Sequence, residues 1–357
     1  MTEDERAGVE LLAAVSRGLI DLAQVTHVAT FQLPYPPGLQ LALDRVVLAG
    51  LTRNRPVPGG IPELLSWSRK KSPAAWWPLE LPGGFLSADA RLLHGESKEV
   101  TRTCAELASW GPDGVLEQEA VALLAELTET CGAVERFAVC RNFLIRRPVI
   151  LQYNPIEFLS PAVAHTWKLV QGFYGPVPDR FRLDRTVYQC SECSLLAKPL
   201  TNDTFWCEGG CQPSGRIVES TQQPEQSRVL PLALRLFLAL PGRTEQAVCS
   251  RLPSEPRLLP RGLGLHELPS PGGRTLVFQV QDREEPILAA LRAAETAAGL
   301  SGLLHVVAPH GLVSSPGYRE KFEGALPDAS RVRLLSADEF TGLRQAARTA
   351  RERNDDA

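Results

Sequence analysis

The chain of 357 residues carries a net charge of −3, with 44% apolar and 22% charged residues. That is the balance of a globular protein long enough for two or three domains, with no need of a disulfide scaffold. It excludes a uniformly basic nucleic-acid binder while leaving room for a local basic patch.

Of its 38 cationic residues only six are lysine, at positions 70, 71, 98, 168, 198 and 321. The skew toward arginine favours phosphate and carboxylate contacts. The opening MTEDERAG is acidic where a secretory signal is basic. The most apolar run, Leu230 to Leu240, contains Arg235 and is too short to cross a bilayer. A cytoplasmic protein without a membrane partner is expected, and its cysteines should stay reduced.

Residues 1–150 read as a mainly helical N-terminal domain. Leu11, Leu12, Val15, Leu19, Ile20 and Leu22 give a first helix its apolar side. Leu116, Ala120, Leu123, Leu124 and Leu127 form the stripe of a second amphipathic helix, which could run on through AVERFAVCRNFLI with Gly132 as its interior breaker. Between them lie proline-rich turns and the segment SWSRKKSPAAWWPLELPGG. Its tryptophans are read as anchors of a core or protein interface in preference to a stacking surface for single strands.

Residues 151–185 read as a helical connector. Asn154 is placed to cap, and Pro155 to start, a helix over about 156–174, which YGPVPDRF then stops.

Residues 186–227 hold a cysteine module and a polar linker, ESTQQPEQS. VYQCSECSLLAKPLTNDTFWCEGGC sets Cys190, Cys193, Cys207 and Cys211 in two closely spaced pairs. Each pair can turn two thiolates toward one cation, and together they close the tetrahedral shell that structural zinc prefers. Gly209 and Gly210 allow the second tight turn, and Tyr188 and Trp206 are expected to pack on each other. Two disulfides, four unrelated thiols and an iron–sulfur cluster are the weaker readings. Cys104, Cys131, Cys140 and Cys249 read as buried small hydrophobes. Charges near the module are mixed: Arg180, Arg182, Arg185, Lys198 and Arg216 against Asp179, Asp184, Glu192, Asp203, Glu208 and Glu219. A phosphate-binding role for the ribbon itself is only modestly supported.

From 228 to 357 the pattern alternates: helices 229–240 and 242–252, strand 274–281, helix 285–298, strand 302–308, helix 316–325, strand 331–335 and helix 337–352. A further strand near 262–268 would form a hairpin with 274–281. This argues for an α/β domain with a largely parallel core. His305 reads as a core histidine and His310 as a loop residue, and the glycines at 262 and 264 lack a P-loop lysine.

Within strand 274–281, Gln279 and Gln281 leave the same face. In FQVQDREEPILAAL they stand where nucleases of the restriction-endonuclease fold carry acid-x-Lys ahead of Asp-x-x-x-Pro and a helix. Glu245 in PGRTEQAV takes the position of an accessory acid, and Glu267 in LHEL that of the motif acid. With FLIRRPVILQYNPIEFL and VYQCSEC, the chain resembles the zinc-ribbon, restriction-endonuclease-like component of the prokaryotic PIWI-RE three-gene islands, best over about 140–357.

The resemblance implies a multidomain α and α/β fold: a helical N-terminal half, a zinc ribbon and a C-terminal restriction-endonuclease-like domain. It further implies defence against phages or plasmids, DNA or an RNA–DNA hybrid as ligand, and a PIWI-type protein and a DinG-like helicase as partners. Both residues expected to do chemistry are amides, however. Glutamine brings no charge for Mg²⁺ and no ammonium. The favoured expectation is thus a DNA-binding or scaffolding subunit with a degenerate nuclease domain. The alternative is an active DNase using Mg²⁺ through relocated acids, with Asp282, Glu284 and Glu285 nearest. A zinc-stabilised regulator unrelated to nucleases is the third reading.

Overall fold

The computed structural model describes residues 2–25, 34–111, 113–201, 204–211, 218–260, 262–269 and 275–343. They divide into two units, one of Met1–Glu119, Val149–Tyr153 and Gly175–Leu232, the other of Ala120–Pro148, Asn154–Tyr174 and Ala233–Ala357.

In the first unit, apolar residues three and four apart drive α1 (Glu3–Val25), whose Leu12, Val15 and Leu19 are fully buried. It packs along α2 (Pro37–Thr52) and α4 (Arg102–Ala108), with α3 (Ile61–Lys70) against α2. Gly18 permits the close approach of α1 and α2, since a Cβ there would lie 2.6 Å from Leu39 Cα. Thr101 caps α4 by accepting from the Cys104 amide at 3.1 Å. Trp67 and Trp76 are buried edge to face with centroids 6.0 Å apart, as core anchors. Trp77 is exposed, with Arg55 at 5.7 Å from its ring.

Two small antiparallel sheets complete this unit. β1 (Val149–Ile150), β7 (Arg228–Val229) and β2 (Gly175–Pro176) form one, in the order β1-β7-β2. The other, in the order β5-β4-β3-β6, holds β3 (Val187–Cys190), β4 (Leu196–Thr201), β5 (Thr204–Cys207) and β6 (Val218–Thr221). Thus the first part of ESTQQPEQS is not a linker. Val218–Thr221 pairs with β3, and a 3₁₀ turn follows over Pro224–Gln226. Alternating Val218, Glu219, Ser220 and Thr221 suffice for an edge strand once a partner strand is present.

In the second unit, α5 (Glu117–Cys131, from Ala120 on) and α6 (Val134–Arg146) are separate helices. Gly132 breaks them with φ +65°. The expected helix 156–174 is also divided. Asn154 caps α7 (Pro155–Phe158), accepting from the Ile156 amide at 3.1 Å, and Pro161 opens α8 (Pro161–Val170). In contrast, the two helices expected over 229–252 are one. It enters at α9 (Leu232–Leu234), widens into a π segment over Arg235–Ala239, and continues as α10 (Leu240–Cys249). The π segment lets the chain pass Pro241, which lacks the amide a regular turn would use.

The sheet of this unit runs β12-β11-β10-β9-β8. Its strands are β8 (Arg257–Leu259), β9 (Leu265–Pro269), β10 (Thr275–Val280), β11 (Leu304–Ala308) and β12 (Val332–Ser336). β8, β9 and β10 form an antiparallel meander, and β10, β11 and β12 are parallel. β10 is central. α11 (Pro286–Ala298) and α13 (Tyr318–Ala325) cover one face, burying Leu265, Leu304, Val306 and Leu334 with Ala293 and Phe322. On the other face Leu268, Phe278, Val280, Val307 and Leu335 pack with Val248 of α10 and with Phe340. A short α12 (His310–Val313) follows β11. The last expected helix is seen over 337–343; its remainder lies outside the described residues.

Candidate functional site

Two strand ends build the cysteine centre. β3 delivers Cys190, and the knuckle behind it is closed by Ser194 N–H donating to Cys190 O at 2.8 Å and Cys190 N–H to Leu195 O at 2.9 Å. β5 delivers Cys207, and Gly210, at φ +69°, turns the chain by donating to Cys207 O at 3.1 Å. All four Sγ atoms, of Cys190, Cys193, Cys207 and Cys211, fall within 4.8 Å of one another. Cys193 and Cys207 are 3.9 Å apart, and no cysteine is in a disulfide. Zn–S bonds of about 2.3 Å at tetrahedral angles require S···S of about 3.8 Å. The cluster is therefore compatible with a structural zinc. Hydrogen bonds among the four thiols lower the pKa of Cys190 and Cys207 and raise that of Cys193 and Cys211, so the thiols compete for negative charge that a shared cation would balance.

The packing around the ribbon differs from expectation. Trp206 stacks on Phe181, centroids 6.3 Å apart, and tilts against His94 at 6.4 Å, while Tyr188 meets Phe205. Below them lies a buried ion cluster. Lys198 Nζ donates to Glu99 Oε1 at 2.5 Å, and Arg180 Nε lies 3.2 Å from Glu99 Oε2. Burial pushes the Lys198 ammonium below its usual range, which Glu99 opposes. Asp203 and Arg216, among the charges expected near the module, lie outside the described residues.

The four nuclease-motif positions fall on both faces of the second unit's sheet. Glu245 belongs to the face of Phe278. Arg141 grips it with two bonds, Nη1 to Oε1 at 2.5 Å and Nη2 to Oε2 at 2.7 Å, and His266 Nε2 lies 3.0 Å from Oε1. His266 in turn stacks on Phe278 at 5.1 Å. Burial alone would raise the Glu245 carboxyl, but Arg141 and His266 outweigh it and bring the pKa down to about 2. This cluster floors a cleft of about 650 Å³ rimmed by Asn142, Arg146, Gln246 and Arg257.

Glu267 and the glutamines belong to the opposite face. In the antiparallel register Glu267 lies opposite Val277, and Gln279 opposite Leu265. Gln281 Nε2 donates to Gln279 Oε1 at 3.0 Å, so the two amides bond to each other. Gln281 is buried, and its Oε1 has no hydrogen-bond partner. Next in the chain, Asp282 and Glu285 are buried and Glu284 is exposed. His305 fits the core reading, with Nδ1 at 3.3 Å from Val277 O. His310 is exposed but gains a carboxylate from the fold, Asp338 Oδ2 at 3.7 Å.

A family model describes the helical part of the chain. Residues 11–151 match the pPIWI_RE three-gene island domain Y. The match supports a PIWI-RE island component, and it overlaps the stretch that carries the sequence resemblance, about 140–357, only at 140–151. Domain Y takes in α1 from Leu11 onward and runs through α6 to β1, and it supplies both Glu99 and Arg141. No curated protein and no solved structure matches the chain. Among the described residues, no helix is long and apolar enough to cross a membrane.

Sequence reasoning missed Glu99 and Arg141. Their partners are 99 and 104 residues away, and no local spacing announces such pairs.

Proposed function

We propose that this protein is a DNA-binding or scaffolding subunit of a prokaryotic defence complex directed at phages or plasmids. Its partners would be a PIWI-type protein and a DinG-like helicase of the same island, its ligand DNA or an RNA–DNA hybrid. The domain Y match carries the assignment to the island. In this reading 1–150 is the helical N-terminal domain, 151–185 a connector, 186–227 a Cys₄ zinc ribbon with its following segment, and 228–357 a degenerate restriction-endonuclease-like domain. The α10–β8–β9–β10–α11–β11 order with β10 at the centre supports the last of these.

One observation carries the degeneracy. Where acid and lysine are needed, Gln279 and Gln281 share a neutral hydrogen bond. Neither gathers charge around a divalent cation, which sheds water only for strong anionic ligands. Glu245, the accessory acid of the motif, is engaged with Arg141 and His266 on the other face.

The ribbon supplies no open coordination position once four sulfurs are bound, so its zinc is structural. Binding of a labelled 30-base-pair duplex and of an RNA–DNA hybrid, followed by anisotropy from low to high salt, tests the reading. Affinity that falls with salt is expected; no binding at low salt, by the chain alone or with its island partners, would refute the DNA-binding role and leave scaffolding alone. A second reading, an active DNase with relocated acids, draws on the burial of Asp282 and Glu285 beside Gln281.

A further inference from the structure

Domain Y meets the cysteine ribbon through residues 92–101. Residues 92–101 form a small closed turn. Leu93 bridges to Val100, His94 N–H donates to Glu99 O at 2.8 Å, and Thr101 N–H to Leu92 O at 3.0 Å. The turn offers two side chains to the ribbon. His94 meets Trp206, the residue just before the ligand Cys207. Glu99, 2% exposed, takes Lys198 from β4 and Arg180 from the 3₁₀ turn Asp179–Phe181. Lys198 also sits 4.9 Å from the Phe181 ring, the ring on which Trp206 stacks. One connected set therefore links the sulfur cluster to domain Y.

We propose that metal held by Cys190, Cys193, Cys207 and Cys211 locks residues 92–101 of domain Y, and that metal loss releases them. The proposal rests on the zinc reading above. Lys198 of β4 and Trp206 of β5 face each other in a short ladder, and the sulfur cluster ties the knuckle before β4 to the end of β5. With the metal gone, four thiols no longer share a cation and the ribbon loses the cross-link between its two knuckles. Lys198 then leaves Glu99, and a buried carboxylate deprived of one of its two cations is driven toward water. The turn that carries it opens. By linkage the effect is reciprocal: disrupting Glu99 must weaken metal retention some ninety residues away in sequence.

The test uses the full chain, with metal content measured first. After removal of zinc by a chelator, hydrogen exchange is followed by mass spectrometry in peptides covering 92–101, 187–207 and 304–308. Exchange at least tenfold faster in 92–101, with 304–308 unchanged, is the expected result. Release of metal from the Glu99→Ala variant to a chromogenic chelator should also be at least tenfold faster than from wild type. Metal that leaves with 92–101 still protected, or equal release rates, overturns the lock while leaving the zinc reading intact. Loss of protection in 304–308 as well overturns it in favour of global unfolding. A preparation without bound metal overturns both.

Discussion

Replacing Arg141 by methionine strands the Glu245 carboxylate in the core of the second unit. Arg141 and Glu245 are 2% and 5% exposed, and the guanidinium donates twice to that one carboxylate and once, at 3.0 Å, to Leu263 O. Breaking a buried pair from one side costs about 3–5 kcal/mol. The titration of Glu245 points the same way: burial alone would raise its pKa from the ordinary 4.5, but Arg141 and His266 outweigh it and bring it down to about 2. Because the folded pKa is depressed, this stabilisation is complete above about pH 4.5 and disappears as pH falls toward 2. Urea unfolding of Arg141→Met at pH 7, followed by exchange protection in β10 and β11, should show a loss of about 3–5 kcal/mol. The double variant Arg141→Met with Glu245→Leu should recover most of it, since no charge then remains buried. A loss below about 1 kcal/mol in the single variant, the size of a surface pair, would refute the reasoning that Arg141 compensates a buried charge.

Purified protein should hold one zinc by elemental analysis, and Cys190→Ser should lose the metal and solubility together; a stable, metal-free wild type would contradict this. Phe278→Ala removes a fully buried ring between His266 and Phe340 and should cost about 3–5 kcal/mol in denaturant unfolding. Gln281→Lys alone places an ammonium in a buried site, whereas adding Gln279→Glu restores a counter-charge. The double-mutant cycle should give a coupling of at least about 1 kcal/mol, and additive effects would contradict the side-chain pairing.

How far the fold could be read follows from the range of the interactions involved. The β10 strand, its hairpin with β9, and α11 after Pro286 were legible because alternation, a proline at the helix start and an alanine-rich stripe are local signals. The four cysteines were legible because paired spacing is local too. Boundaries failed where tertiary context decided them. The polar segment 218–221 becomes a strand only because β3 offers an edge, and Pro241 ends no helix because a π segment absorbs it. Tyr188 and Trp206, expected to pack on each other, part company because the ribbon sheet turns them to different neighbours. Glu245 takes the place of an accessory acid in the sequence, but Arg141 gives it a partner that sequence spacing does not reveal.

Incubation of the purified full chain with supercoiled plasmid and with linear and single-stranded DNA, in Mg²⁺ and then Mn²⁺, tests the central claim most directly. With Gln279 and Gln281 joined as neutral amides, no nicking or linearisation is expected, while DNA is still bound in a salt-dependent way. Cleavage by the wild type that Glu267→Ala, Asp282→Ala or Glu284→Ala abolishes without unfolding the protein would contradict it, and would establish a relocated nuclease site in its place.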